Sequence, residues 1–226
     1  MLLLSVDSSA KSAAVAVTDG DRVLAEGFEN NGYTHSETLL PLIDATLQKA
    51  GKTIDDIDVF AVTNGPGSFT GLRIGCALVK GLAGDKPCKA VPTLSALAYN
   101  CVGENGIVIP MMDARRAQTY TATFSVKNGK VEQITEDRAV AVEELEKEIL
   151  SFVAQGKQVI VLGDGSYLLS ELVAQQVVLF AKPLILGRSV AKAAEKINPV
   201  SAKELGLHYL RLSQAEREKR EREKNK

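Results

Sequence analysis

The sequence predicts an α/β protein made of two tandem lobes that share one plan. Three observations carry that prediction. An apolar strand ending in aspartate occurs twice, at residues 2–6 before Asp7 and 107–112 before Asp113. Each is followed by alternating residues and a hairpin dipeptide, Asp19-Gly20 and Asn128-Gly129, pairs suited to two-residue turns. Each half then continues through a helical pattern, a buried strand and a glycine turn, at similar spacing, which fits a duplication.

In the first half, strands are expected at residues 2–6, 13–17 and 23–28. A helix over 34–50 follows, opened by the capping box Thr34-His35-Ser36-Glu37, in which the two end side chains satisfy free amides of the first turn. Pro41 is expected to bend it. The run Val59-Phe60-Ala61-Val62 has the length of a buried strand. A glycine-rich turn leads from it into a helix over 72–83, with Ser68 or Thr70 as the cap. Val91-Pro92-Thr93-Leu94 ends a strand and starts a helix through Tyr99, with Thr93 as its N-cap. Gly103-Glu104-Asn105-Gly106 is a polar, glycine-rich break. It divides the chain into a lobe over 1–103, carrying the partner-binding helices, and a smaller lobe over 104–226. The second lobe should hold strands at 107–112, 120–126 and 131–137, a helix at 142–154, and a strand at 159–162. Gly163-Asp164-Gly165 then turns the chain. The apolar run 177–186 is broken by Lys182 and Pro183. Residues 216–226 hold six basic residues and four glutamates, the composition of a solvated helical extension or frayed end.

Three antiparallel strands followed by helix, strand and helix describe a ribonuclease-H-like lobe. Two such lobes in tandem describe the actin/sugar-kinase/heat-shock-protein (ASKHA) architecture, with its nucleotide cleft between lobes. Composition agrees with a packed core: 45% hydrophobic and 24% charged residues over 226 positions. A net charge of −1 gives no field strong enough to draw the chain onto nucleic acid or an anionic membrane. Cys76, Cys88 and Cys101 are widely spaced among apolar neighbours, as buried thiols of a reducing cytoplasm would be. The opening Leu2-Leu3-Leu4 has no basic region before it and ends at Asp7, which makes it a first strand and not a signal peptide. No apolar stretch reaches membrane-spanning length.

The most informative stretch is Asn64-Gly65-Pro66-Gly67-Ser68-Phe69-Thr70-Gly71-Leu72-Arg73-Ile74-Gly75. Glycines at a strand-to-helix turn let the backbone approach another surface closely, as in a phosphate loop or a contact surface. The spacing fits neither a Walker loop nor a dinucleotide fingerprint: three residues separate Gly67 from Gly71, and Leu72-Arg73 follows. No nucleophile elbow surrounds Ser68 or Thr70. Asp7 and Asp113 end equivalent strands, where ASKHA kinases orient magnesium or water. Ser8, Ser9, Lys11 and Ser12 would grip phosphate, and Gly163-Asp164-Gly165-Ser166 would hold adenosine. Structural roles compete with each of these, because aspartates cap turns and glycines turn chains.

As a whole string the glycine-rich stretch resembles the signature of the TsaB (YeaZ) family of bacterial tRNA threonylcarbamoyladenosine synthesis. Four further stretches match that family at the expected places. They are Ser5-Val6-Asp7-Ser8-Ser9, Thr34-His35-Ser36-Glu37-Thr38-Leu39-Leu40-Pro41, Met112-Asp113-Ala114-Arg115-Arg116, and Tyr209-Leu210-Arg211 followed by Ala215-Glu216. Leu207 departs from the pattern, which has proline there. The resemblance implies a non-catalytic subunit that binds and activates TsaD. TsaD transfers a threonylcarbamoyl group to the adenosine 3′ of the anticodon in tRNAs reading codons that begin with A. It further implies that TsaE binds the heterodimer, that homodimers form through the same helices, and that tRNA is met only indirectly. His35, Glu37, Leu39, Leu40, Ile43, Gly71, Leu72, Arg73, Gly75 and Leu78 are the expected partner-interface residues, with Gly71 and Gly75 clearing a path for a second helix. Asp7, Ser8, Asp113, Gly163 and Gly165 are candidates for weak ATP or ADP binding, and no other cofactor is expected. The alternatives are a small-molecule kinase or phosphotransferase of the same fold and, with less support, a protease acting on TsaD.

Metal catalysis lacks its ligands. The chain has two histidines, His35 and His208, and Leu39 stands where the TsaD family's His-x-x-x-His would place a second ligand. Protein purified without added metal should therefore contain far less than one equivalent of zinc or iron by plasma mass spectrometry. Stoichiometric metal lost on His35→Ala would overturn this.

Overall fold

The computed structural model of the protein describes residues 1–180 and 184–211. Lys182, Pro183, Ala215 and the charged stretch from Glu216 lie outside the described residues. The first sheet comprises β1 (Leu2–Asp7), β2 (Ala13–Asp19), β3 (Arg22–Glu29), β4 (Val59–Gly65) and β5 (Cys88–Pro92), in the order β3-β2-β1-β4-β5. β1, β2 and β3 pair antiparallel; β4 and β5 run parallel to β1. The connections explain the difference. Short turns join the first three strands, whereas α1 (His35–Ala50) and α2 (Phe69–Ala83) supply the long crossovers that parallel strands need.

Strand alternation sorts side chains onto the two faces of this sheet. Leu4, Val6, Phe60 and Val62 pack with Leu39, Leu42, Ile43, Cys76 and Val79 of α1 and α2. Leu3, Val59, Ala61 and Val91 point the other way, towards α3 (Thr93–Ala98) and α6 (Gly187–Ala194). That second core is shared. It continues through Val108, Met112, Tyr120, Phe124 and Ile160 of the other sheet, so the lobes are fused through α3 and α6.

The second sheet holds β6 (Gly106–Asp113), β7 (Gln118–Thr121), β8 (Phe124–Lys127), β9 (Lys130–Gln133), β10 (Arg138–Ala141), β11 (Val159–Leu162) and β12 (Val178–Leu179). Its main path, β10-β7-β6-β11-β12, repeats the order of the first sheet. The helices α4 (Val142–Ala154) and α5 (Glu171–Ala174) join its last strands. The strand expected over 120–126 is divided. β7 and β8 pair with β6 in one continuous register, Met112↔Tyr120 and Val108↔Phe124, which puts Pro110 opposite Ala122. Proline has no N–H to give the ladder, so the pairing lapses there. The strand expected over 131–137 stops at Gln133 as β9, and β10 begins only at Arg138, beyond the expected range. Between them the amides of Ile134 and Thr135 both donate to the carbonyl of Thr123, at 2.7 and 3.3 Å, as at a bulge. Asn128 and Gly129, at φ 52° and 76°, form the expected hairpin turn, both residues in the left-handed region that such turns demand.

Two further expectations change. The N-cap of α3 is Pro92, and Thr93 instead accepts a hydrogen bond from the Gly65 amide at 3.2 Å. α6 and the chain from residue 197 to 209 pack on the first lobe, although a division after residue 103 assigns them to the second. Val200 pairs with Cys88, and Leu205 and Ala202 enter the first-lobe core. All three cysteines are buried and free, and burial pushes the Cys101 thiol up to about 12. Among the described residues no helix is long and apolar enough to cross a membrane.

Gly187 starts α6 flush against β2. A Cβ there would collide with the backbone of Val15 and Ala16, and the Gly187 carbonyl accepts a 2.8 Å bond from the buried Ser5 hydroxyl. Gly187→Ala should lower unfolding free energy by about 1–3 kcal/mol, as overpacking does, measurable as a reduced urea midpoint. An unchanged midpoint would show that α6 is not fixed by this contact.

Candidate functional site

The glycine-rich turn meets the loop between β1 and β2 of its own lobe. The Ser68 amide donates to the Ser9 carbonyl at 2.7 Å, and the Ser8 hydroxyl donates to the Gly71 carbonyl at 2.9 Å. Side chains at Gly67, Gly71 or Gly75 would strike Ser9 O, Ser8 O and Ser8 Oγ respectively. Ser68 is the N-cap of α2, accepting from the Gly71 amide at 3.2 Å. The stripe Gly71/Gly75, expected to admit a partner helix, is therefore filled by Ser8 of the same chain. A long side chain at Gly75 would unseat that loop before it met any partner.

Asp7 lies beneath the loop with no solvent exposure. Its Oδ1 accepts three hydrogen bonds: from the Ser9 amide (3.1 Å), the Ser9 hydroxyl (2.7 Å) and the Thr63 hydroxyl (2.6 Å). Burial raises its carboxyl above the ordinary range, and these donors and the nearby His35 oppose the rise. His35 is half-buried and turned inward, not outward as expected. Its Nε2 sits 2.7 Å from the Ala10 carbonyl. Asp7 Oδ2 and His35 Nδ1 are buried without hydrogen-bond partners.

The second lobe repeats this arrangement. Gly163, at φ 111°, has no room for a side chain against the Met111 carbonyl, and the Gly165 amide donates to that carbonyl at 2.9 Å. Asp164 accepts from the Asp113 amide at 3.2 Å. Burial raises the Asp164 carboxyl; the Asp113 amide opposes this, and the charges of Asp113 and Asp7 add to it. Asp113 itself accepts from the Arg115 amide (2.7 Å) and the Tyr167 hydroxyl (3.1 Å).

Between the lobes lies a cleft of about 620 Å³, whose walls include Ser9, Lys11, Phe69, Asp113, Asp164 and Tyr167. Of the five nucleotide candidates only Asp113 lines it. Asp7 and Ser8 are buried behind Ser9, and Gly163 and Gly165 support Asp113 from below. The aromatic walls, Phe69, Tyr120 and Tyr167, come from separate segments that only the fold brings to one opening, and no local pattern in the chain marks them.

The partner-helix candidates divide by exposure. Leu39, Ile43 and Leu72 are wholly buried in the first-lobe core, because they lie on the sheet-facing stripe, and they leave the outer face. Glu37, Leu40 and Arg73 are exposed and Leu78 is half-buried. Glu37 accepts from the Thr34 amide and hydroxyl at 3.4 and 2.7 Å, as the capping sequence requires. Arg73 donates to the Tyr209 hydroxyl at 3.0 Å.

Two mixed sheets of one strand order with a cleft between them define a two-lobed ASKHA protein. The family model described as TsaD: tRNA N6-adenosine threonylcarbamoyltransferase matches residues 29–223, and the chain belongs to that family. Within it the TsaB (YeaZ) resemblance holds. The chain is 37% identical over 142 residues to the Bacillus subtilis (strain 168) tRNA threonylcarbamoyladenosine biosynthesis protein TsaB. That match spans 62% of this chain and 62% of the relative. A solved Pseudomonas aeruginosa protein, described as uncharacterized with similarity to peptidase YEAZ, superposes with a TM-score of 0.79 at 25% identity, over 93% of this chain and 99% of that one. The ethanolamine utilization protein EutJ of Carboxydothermus hydrogenoformans shares the fold at TM-score 0.54 and 15% identity, over 85% of this chain and 90% of its own.

Asp7 yields a pH test. A carboxyl raised by folding binds its proton more readily in the native state. Its contribution to stability is therefore lost as pH climbs from the ordinary carboxylate value to the raised one, and stays lost above it. Asp7→Asn keeps Oδ1 as acceptor and cannot ionise. The urea midpoint of the variant relative to the parent should rise as pH climbs above the ordinary carboxylate value of about 4. A difference that is flat with pH would mean that Asp7 titrates normally.

Proposed function

We propose that this chain is a non-catalytic subunit of the tRNA threonylcarbamoyladenosine machinery, which docks on a TsaD partner and holds it in its active form. TsaD transfers the threonylcarbamoyl group to the adenosine 3′ of the anticodon in tRNAs reading codons that begin with A, and TsaE joins the heterodimer. The observation that carries the non-catalytic reading is the sealing of Asp7. The aspartate that would position magnesium or water in a working ASKHA cleft is buried and committed to Ser9 and Thr63. The amide of Ser68 is likewise used on Ser9. The names of the relatives support the pathway.

Docking is assigned to the outer faces of α1 and α2, where α1 carries exposed Glu37 and 43% exposed Leu40 and α2 carries half-buried Leu78. Self-association through the same faces would compete with it. Adenine nucleotide, if bound, would contact Lys11, Asp113 and Asp164 weakly and without turnover. The open cleft is what favours the rival kinase reading, and calorimetry separates the two. Micromolar ATP affinity with measurable hydrolysis would support the kinase.

Leu40→Arg places a cation on the docking face without touching the core. Its affinity for purified TsaD, followed by calorimetry or sedimentation, should fall at least about tenfold, while its melting temperature stays near the parent's. Unchanged affinity would put the contact elsewhere on the molecule.

A further inference from the structure

We infer that residues 208–211 form a strap that sets the opening of the inter-lobe cleft and holds its second-lobe rim in place. The motif Tyr209-Leu210-Arg211 plays no part in the function proposed above, and the inference does not depend on that function.

The strap is anchored at both ends. On the first lobe, the His208 amide donates to the Asn64 carbonyl at 2.7 Å, and Tyr209 stacks on Phe69 with ring centroids 4.5 Å apart and planes 10° from parallel. Arg73 closes this end: its guanidinium lies 5.7 Å from each ring centroid while its Nε bonds the Tyr209 hydroxyl. On the second lobe, Arg211 donates to the Ala114 carbonyl at 2.8 Å and lies over Tyr120, 5.6 Å from its centroid. Leu210, between the anchors, packs on the core shared by the lobes. The crevice that the strap fills, against Pro66, Gly67, Phe69 and Tyr120, has no room left for a water molecule. Gly67, Phe69 and Tyr120 also line the cleft, so the strap backs its wall.

What the second anchor holds explains the need for it. Ala114 precedes Arg115, Arg116 and Ala117, three consecutive residues with side chains in the left-handed region, at φ 65°, 56° and 53°. That conformation is costly for L-residues and persists only where surroundings enforce it. The turn carries Arg115 on the cleft rim, and Arg211 grips the carbonyl at its start. The shared core through α3 and α6 keeps the lobes together, so loss of the strap would bend and loosen the cleft without separating them.

Amide exchange and a distance measurement test this. Arg211→Ala should speed exchange of the amides of residues 114–118 by about tenfold. Tyr209→Ala should do the same, although Tyr209 makes no hydrogen bond to that turn. The double variant should match either single variant, because cutting one anchor already frees the strap. Nitroxide labels at Lys49→Cys on α1 and Lys147→Cys on α4 should give a lobe-to-lobe distance distribution roughly twice as broad in each variant as in the parent. Exchange at 114–118 unaltered by Tyr209→Ala, or effects of the two substitutions that simply add, would overturn the strap. If Tyr209→Ala does not fold, Phe69→Ala removes the same ring stack, and unaltered exchange in it would count equally against the inference.

Discussion

The close approach of the β1–β2 loop to the glycine-rich turn is the contact on which the first lobe is arranged. Three positions along one turn and helix, Gly67, Gly71 and Gly75, lack side chains where Ser8 and Ser9 press in. The loop then lies directly on the backbone of α2, and its polar groups are satisfied by that backbone and not by solvent. Asp7, carried at the end of β1, is drawn beneath it. Any Cβ at these glycines would lift the loop, expose the aspartate and leave the Ser68 amide without its partner, which is costly in a buried setting.

The second lobe repeats this solution with different residues. Gly163 and Gly165 lie against Met111 and Asp113 as Gly67 and Gly71 lie against Ser9 and Ser8. In the first lobe the turn after β4 supports the loop after β1, and in the second the turn after β11 supports the last residues of β6. The repetition therefore extends beyond strand order to backbone contact. It diverges in what happens to the aspartate. Asp7 is sealed, whereas Asp113 reaches the cleft and is held there by Tyr167 and the Arg115 amide. The cleft is thus asymmetric in charge placement, with an accessible acidic floor on one side and a closed one on the other.

α2 connects these features. Its buried stripe builds the core, its glycines seat the loop, its first residue Phe69 lines the cleft and stacks on Tyr209, and its outer face carries Arg73 and Leu78. Changes on one side of this helix are felt on the other, because a helix fixed on three sides moves as a unit. The return of the chain from α6 to Arg211 has the same effect on the whole molecule. The last described residues close contacts made by the first strands, so neither lobe is complete without the other's chain.

Much of this was legible in the sequence. Strand–hairpin–helix order, the helix over 142–154, the Asn128-Gly129 turn and the buried strands followed from local pattern, because hydrophobic period and turn chemistry are properties of neighbours in sequence. The family motifs were legible as strings. Tertiary structure decided what each motif does. Whether Gly75 faces a partner or Ser8, whether Asp7 reaches solvent, and where Tyr209 and Arg211 land depend on contacts between segments far apart in the chain. Pro110 shows the limit at small scale: its missing N–H matters only because the register sets Ala122 opposite. A glycine stripe announces that something approaches closely, but without a side chain to read, only packing reveals what it is.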